Sequence, residues 1–169
     1  MSPGFRARPL SERSGFTLIE MVTSVTIIAL LATIAVPRVS EQIDRARVGK
    51  AIGDIRALQA DIDGYAAGHS DSLPASLSAV GRGGFEDPWG NPYVYTVFQT
   101  QGGGNANGSD GSVAGQARKD RFLVPLNTRY DLYSKGKDGA SQLPLTAGVS
   151  QDDVLRANDG GFIGLGSNY

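Results

Sequence analysis

The side chains able to do chemistry are few and sit near the two ends of the chain. Glu20 is the only ionisable residue in an apolar run from Phe16 to Val36, FTLIEMVTSVTIIALLATIAV. A carboxylate inside a bilayer costs roughly 2.5–3.5 kcal/mol on insertion scales, so such residues usually carry function. The plainer alternative puts Glu20, four residues into the run, at the headgroup level. Towards the other end, Asp138 follows a β-forming segment, and Asp152-Asp153 come fourteen residues later. Hard oxygen donors on a loop suit Ca²⁺, which takes about 6–8 oxygens in flexible geometry. The spacing is not that of an EF-hand, and loop aspartates are ordinarily solvated turn formers.

Nothing else points to a reaction. The chain has no Cys and one His, His69, in a Gly-His-Ser-Asp stretch that reads as a solvated helix-end turn. Thiolate nucleophiles, disulfides and multi-histidine metal centres are therefore excluded. No Gly-x-Ser-x-Gly or His-x-x-x-His occurs, and the glycine-rich run GGGNANGSDG lacks the Lys-Ser/Thr of a phosphate-binding loop. Catalysis is not expected.

The elements that must position these residues follow from hydropathy. Of 169 residues 40% are apolar, enough for one cored domain, while 23 glycines imply long loops. Twenty-one helical residues from Phe16 span about 31 Å, the thickness of a hydrocarbon core. Arg6, Arg8 and Arg13 precede them, which predicts a cytoplasmic N-terminus and an external C-terminus. A secretory signal cut near Ala32 to Ala35 and a plain signal anchor are competing readings of this segment. Pro37 either ends the span or kinks a helix that continues. The pattern favours continuation, because Val39, Ile43, Ala46, Ile52, Ile55, Leu58, Ile62 and Tyr65 recur mostly at steps of three and four. Residues 38–67 balance five basic against five acidic side chains. Gly49 and Gly53 weaken this helix, and Gly64 and Gly68 mark its end.

The remainder reads as a small α+β head. Asp87-Pro88-Trp89-Gly90-Asn91-Pro92-Tyr93 predicts a tight turn into a strand, Tyr93 to Phe98. Arg121 to Leu126 and Tyr130 to Ser134 read as two further strands, the first demoted towards an edge by Pro125. Three antiparallel strands then pack on the amphipathic helix. Residues 101–116 read as an exposed glycine-rich loop. The segment 71–169 carries eight basic and ten acidic side chains, so no basic stripe for nucleic acid is expected.

Gly15-Phe16-Thr17-Leu18-Ile19-Glu20 resembles the processing signal of type IV pilins and type II secretion pseudopilins. The 87–93 motif and Tyr130-Asp131-Leu132-Tyr133-Ser134-Lys135-Gly136-Lys137-Asp138-Gly139 look like those of the major pseudopilin branch. The resemblance implies a type IV pilin-like fold with a long bent N-terminal helix. It implies removal of a leader, residues 1–15, by a prepilin peptidase that cuts after Gly15 and N-methylates Phe16. Glu20 becomes the fifth mature residue, and Pro37 the twenty-second, of a 154-residue chain. Residues 16–36 would be the membrane and assembly helix, 37–67 its amphipathic continuation and 68–169 a periplasmic head. The implied function is a structural one: polymerisation into a periplasmic pseudopilus that drives folded proteins across the outer membrane. Its partners would be copies of itself, minor pseudopilins, the inner-membrane assembly platform and the bilayer. A true pilus or competence pilin is the alternative, although many such pilins close a C-terminal loop with a disulfide. The resemblance further implies structural calcium in a loop over 135–160, held by the Lys135 carbonyl, Asp138, Asp152 and Asp153. Ser141 or Ser150 is a further possible ligand. The tail after Asp153 departs from the family pattern.

Overall fold

A computed structural model describes residues 15–98 and 117–169. The glycine-rich segment 101–116 and the arginine-bearing residues before Gly15 lie outside these. The chain divides into two compact units, Met1–Gln42 and Ile43–Tyr169, with one helix, α1 (Leu18–Gly68), contributing to both.

In the first unit α1 is exposed at every described position. Its start is set by Thr17, whose hydroxyl oxygen accepts the Glu20 amide at 3.3 Å. A threonine followed three residues later by glutamate is the sequence pattern of a helix N-terminus. Pro37 lies inside the helix rather than at its end. It removes one backbone donor without stopping the helix, as the renewed apolar pattern requires.

In the second unit Ala51, Ile55, Leu58, Ile62 and Ala66 form the buried stripe of α1. The spacing of four and three residues puts them on one face. The expected stripe is right at Ile55, Leu58 and Ile62, but it drifts at its ends. Val39 and Ile43 are exposed, and the small Ala51 and Ala66 are buried where Ile52 and Tyr65 were expected. Close approach of helix and sheet favours the smaller side chains.

Four antiparallel strands follow in the order β1 (Val94–Val97), β2 (Tyr130–Ser134), β3 (Val154–Ala157) and β4 (Phe162–Leu165). Thr96 lies opposite Asp131, Ser134 opposite Val154, and Leu155 opposite Gly164. Alternation sorts the sheet into two faces. Tyr130, Leu132 and Val154 join the α1 stripe and Tyr93 in one core. Leu155 and Ala157 pack with Leu126 and Leu145 in a second, with Tyr133 against it.

Two expectations fail here. Arg121 to Leu126 is not a strand: Phe122, Leu123 and Val124 are exposed, and the segment turns back through Asp120 N–H to Leu123 C=O at 3.0 Å and Leu126 N–H to Arg118 C=O at 2.9 Å. Pro125 can donate nothing to a ladder, and of the segment's apolar residues only Leu126 is buried, in the second core. The sheet also has four strands rather than three. The additional pair lies beyond Asp153, in the tail that departs from the family pattern.

Candidate functional site

The apolar half of α1 is the first candidate. It is the one helix among the described residues long and apolar enough to cross a membrane. Its hydroxyls are satisfied within the helix. Thr23 donates to the Ile19 carbonyl at 2.9 Å, Ser24 to Glu20 at 2.7 Å, Thr26 to Val22 at 2.7 Å and Thr33 to Ala29 at 2.9 Å. A lipid-facing helix needs this, because hydrocarbon offers no partner. Glu20 differs: it is an acid in the first turn, where the positive end of the helix dipole favours it. Phe16 and Gly15 precede the helix and are exposed.

The second candidate is the head's motif pair. Asp87 is buried, and one of its carboxylate oxygens accepts the Trp89 amide at 3.0 Å and the Asn91 amide at 2.8 Å. The other accepts the Ser134 hydroxyl. Asn91 donates its side-chain amide to the Gly136 carbonyl at 3.0 Å, and the Tyr93 hydroxyl donates to Asp54 of α1 at 3.1 Å. The two head motifs noticed separately in the sequence are thus one bonded unit. Burial, followed by the Asp54 charge and hydrogen bond, pushes the Tyr93 phenol well above its usual range, so it stays a donor.

The third candidate is the implied calcium loop. Lys135 follows β2 directly, and Lys137 reaches Asp44 of α1 at 2.6 Å. One oxygen of Asp152 accepts the amides of Lys137 at 2.9 Å and Asp138 at 3.1 Å. Asp138 is exposed and accepts the Ala140 amide at 2.8 Å. These contacts are those of aspartates shaping a turn. Asp153 points elsewhere. Fully buried, it meets the Arg118 guanidinium at 2.5 Å and the Ser141 hydroxyl at 2.7 Å. Ser150 bonds both backbone groups of Gln142, donating to the carbonyl at 2.8 Å and accepting the amide at 2.9 Å. Among the described residues no three carboxylate or imidazole side chains gather where a metal ion could be held. Asp138 and Asp152 shape one turn, and Asp153 is engaged by a cation of the chain itself.

Residue spacing places Asp87 in a turn but marks neither Asp87 nor Arg118 as a buried structural centre. Asp87 could have been found, since Asp before Pro-x-Gly-Asn is a turn-capping pattern. Arg118 could not, because its partners are 23 and 35 residues away. His69 is exposed, as expected, with its ring stacked on Tyr65 at 3.9 Å.

A helix that begins with a capped acid in an apolar run, then carries a four-stranded antiparallel sheet on its second half, defines the type IV pilin-like class. Comparison with known proteins narrows this. Residues 10–36 match the prokaryotic N-terminal methylation motif. The type II secretion system core protein G of Pseudomonas aeruginosa is 35% identical over 111 residues, covering 54% of this chain and 78% of that protein. The core protein G of Aeromonas hydrophila is 32% identical over 102 residues, 48% of this chain and 71% of its own. The competence protein ComGC of Halalkalibacterium halodurans is 31% identical over 78 residues, 46% and 76% respectively. No solved structure gives a significant match. The chain belongs to the type II secretion system core protein G family. Its one apolar N-terminal helix fits a single-pass inner-membrane protein.

Proposed function

We propose that this chain is the major pseudopilin of a type II secretion system and works by polymerising, with no catalytic step of its own. The observation that carries the reading is Glu20, the one ionisable residue of the apolar run 16–36, held in the first turn of a helix that starts shortly after the Gly15-Phe16 pair. Cleavage after Gly15 by a prepilin peptidase, with N-methylation of Phe16, creates an ammonium four residues from that carboxylate. In a poor solvent each charge alone is costly, and pairing between neighbouring subunits offsets much of that cost. The pair would set the stagger of one helix against the next, with Pro37 easing the helix out of the packed bundle.

Arg6, Arg8 and Arg13 would hold the leader in the cytoplasm, so the head faces the periplasm. Growth of the resulting filament from an inner-membrane assembly platform, capped by minor pseudopilins, would push folded proteins outward. The head's excess of acids over bases and the lack of cysteine in the whole chain favour this over a DNA-uptake or adhesive pilus.

Intact-mass analysis of the protein purified from membranes tests the reading. The expected mass is that of residues 16–169 plus one methyl group. A retained leader, or a cut near Ala35, overturns it.

A further inference from the structure

The residue implied as a calcium ligand, Asp153, is fully buried immediately before β3, and what it meets there is an arginine. Arg118 and Asp153 are 2% and 0% exposed at the side chain, and the guanidinium donates to Asp153 Oδ2 at 2.5 Å. Its other terminal nitrogen donates to Ser141 Oγ at 2.7 Å, and Ser141 in turn donates to the same Asp153 oxygen at 2.7 Å. The guanidinium plane lies 4.1 Å from the centre of the Tyr133 ring. The Arg118 backbone is fixed as well, its amide donating to Asp131 Oδ2 at 2.7 Å. One positive charge thereby gathers the segment following the glycine-rich run, the 135–153 loop and the entry to β3.

We propose that Arg118 is a built-in substitute for a divalent cation: the C-terminal loop of this chain is locked by a guanidinium instead of by calcium. The chemistry of the two locks is alike. Each places positive charge on a buried carboxylate, recruits a hydroxyl, and cross-links segments distant in sequence so that the ordering entropy of the loop is opposed. The two also exclude each other. A Ca²⁺ on Asp153 would share one carboxylate with a guanidinium in a poorly polarisable interior, where like charges repel strongly. Asp153 Oδ1 and Arg118 Nε are buried without a protein partner, so the pair is not a full fork, but the second carboxylate oxygen still lies beside a fixed positive charge. The remaining acids, Asp138 and Asp152, each hold backbone amides of the turn through one carboxylate oxygen. The assignment does not depend on the assembly reading and holds whether or not the chain polymerises.

The test uses the full-length chain in detergent micelles, melted in EGTA and in about 10 mM calcium chloride, well above the weakest affinities of extracellular calcium modules. The melting temperature should differ by less than about 1 °C between the two, as linkage requires when nothing binds. Terbium titrated into the same protein should show no saturable sensitised emission. Arg118→Gln should lower the melting temperature by about 10 °C or more, since it leaves a buried carboxylate without its charge partner. A calcium-dependent rise in wild-type melting, or saturable terbium emission abolished by Asp153→Asn, overturns the proposal. An Arg118→Gln chain as stable as wild type does so too. Should Arg118→Gln fail to fold, Ser141→Ala gives the second reading. It removes the bridging hydroxyl alone and should lower melting by a few degrees, in calcium and in EGTA alike; stabilisation of that variant by calcium counts against the proposal.

Discussion

Asp87 and Ser134 lie 47 positions apart and share a buried hydrogen bond that joins the tight turn ahead of β1 to the end of β2. The same carboxylate holds the Trp89 and Asn91 amides, so three donors converge on one side chain. Asp87→Ala leaves all three without their acceptor. Only the Ser134 hydroxyl is buried; at about 1–3 kcal/mol for a buried donor left unsatisfied, the loss should be about 1–3 kcal/mol, the half-buried Trp89 and Asn91 amides adding less. Asp87→Asn keeps one acceptor oxygen and should cost clearly less. Urea unfolding of the two variants checks the order; equal stability of Asp87→Ala and wild type would remove Asp87 as the organising residue.

How much of this was legible in the sequence depended on whether partners were local. The α1 stripe was readable at Ile55, Leu58 and Ile62 because helical period is a local property. Strand β2 was readable from its alternating aromatic and aliphatic residues. Strands β3 and β4 were missed for a physical reason. Asp153 has the look of a loop residue, and a buried Arg156 breaks the apolar pattern of Val154 to Ala157. Arg156 is tolerated there because it stacks 4.2 Å from the Tyr130 ring and donates to Asn127 at 3.1 Å, contacts invisible in spacing. Asn158-Asp159-Gly160-Gly161 between two β-forming runs was the available hairpin signal.

Two kinds of glycine among the described residues have opposite predicted outcomes. Gly136 has φ of +66°, and a Cβ there would lie 2.3 Å from the Asp152 carbonyl oxygen. Backbone cannot yield as a flexible side chain can, so Gly136→Ala should cost about 2 kcal/mol or more. Gly49 and Gly53 lie within α1 with nothing inside 4 Å of an added Cβ. Replacing either by Ala should stabilise the chain by about 0.5–1 kcal/mol through helix propensity. Thermal unfolding of the three single variants separates these cases, and a destabilising Gly53→Ala would refute the helical account.

Asp159 supplies a pH dependence with a defined sign. Burial works against its charge, but the Thr128 hydroxyl at 2.7 Å and Thr128 amide at 2.9 Å, with Arg156 nearby, outweigh burial and hold the carboxyl below its usual range. A folded-state value below the unfolded one contributes stability above the unfolded pKa of about 3.9. That contribution disappears as pH falls through the folded value. Asp159→Asn should therefore melt below wild type at pH 7, and the gap should close as pH drops below about 4. A gap independent of pH would assign the effect to shape rather than charge.

Glu20 has two separable properties, and the choice of variant distinguishes them. As an acid in the first turn beside Thr17 it favours the helix start, and this modest local effect survives in part with a neutral amide. As a charge in an apolar run it would, in the proposed filament, pair with a neighbour's new terminal amine. Glu20→Gln keeps the size and hydrogen-bonding capacity of the side chain and removes only the charge. It should be inserted and processed at the wild-type rate, yet yield no filaments when overproduced. Glu20→Ala should behave alike, because the missing property is the same. Electron microscopy of sheared filaments, with immunoblots of the membrane fraction as the insertion control, provides the readout. Filaments from Glu20→Gln but not from Glu20→Ala would assign the role to capping. Filaments from both would leave the stagger of the subunits to helix packing alone.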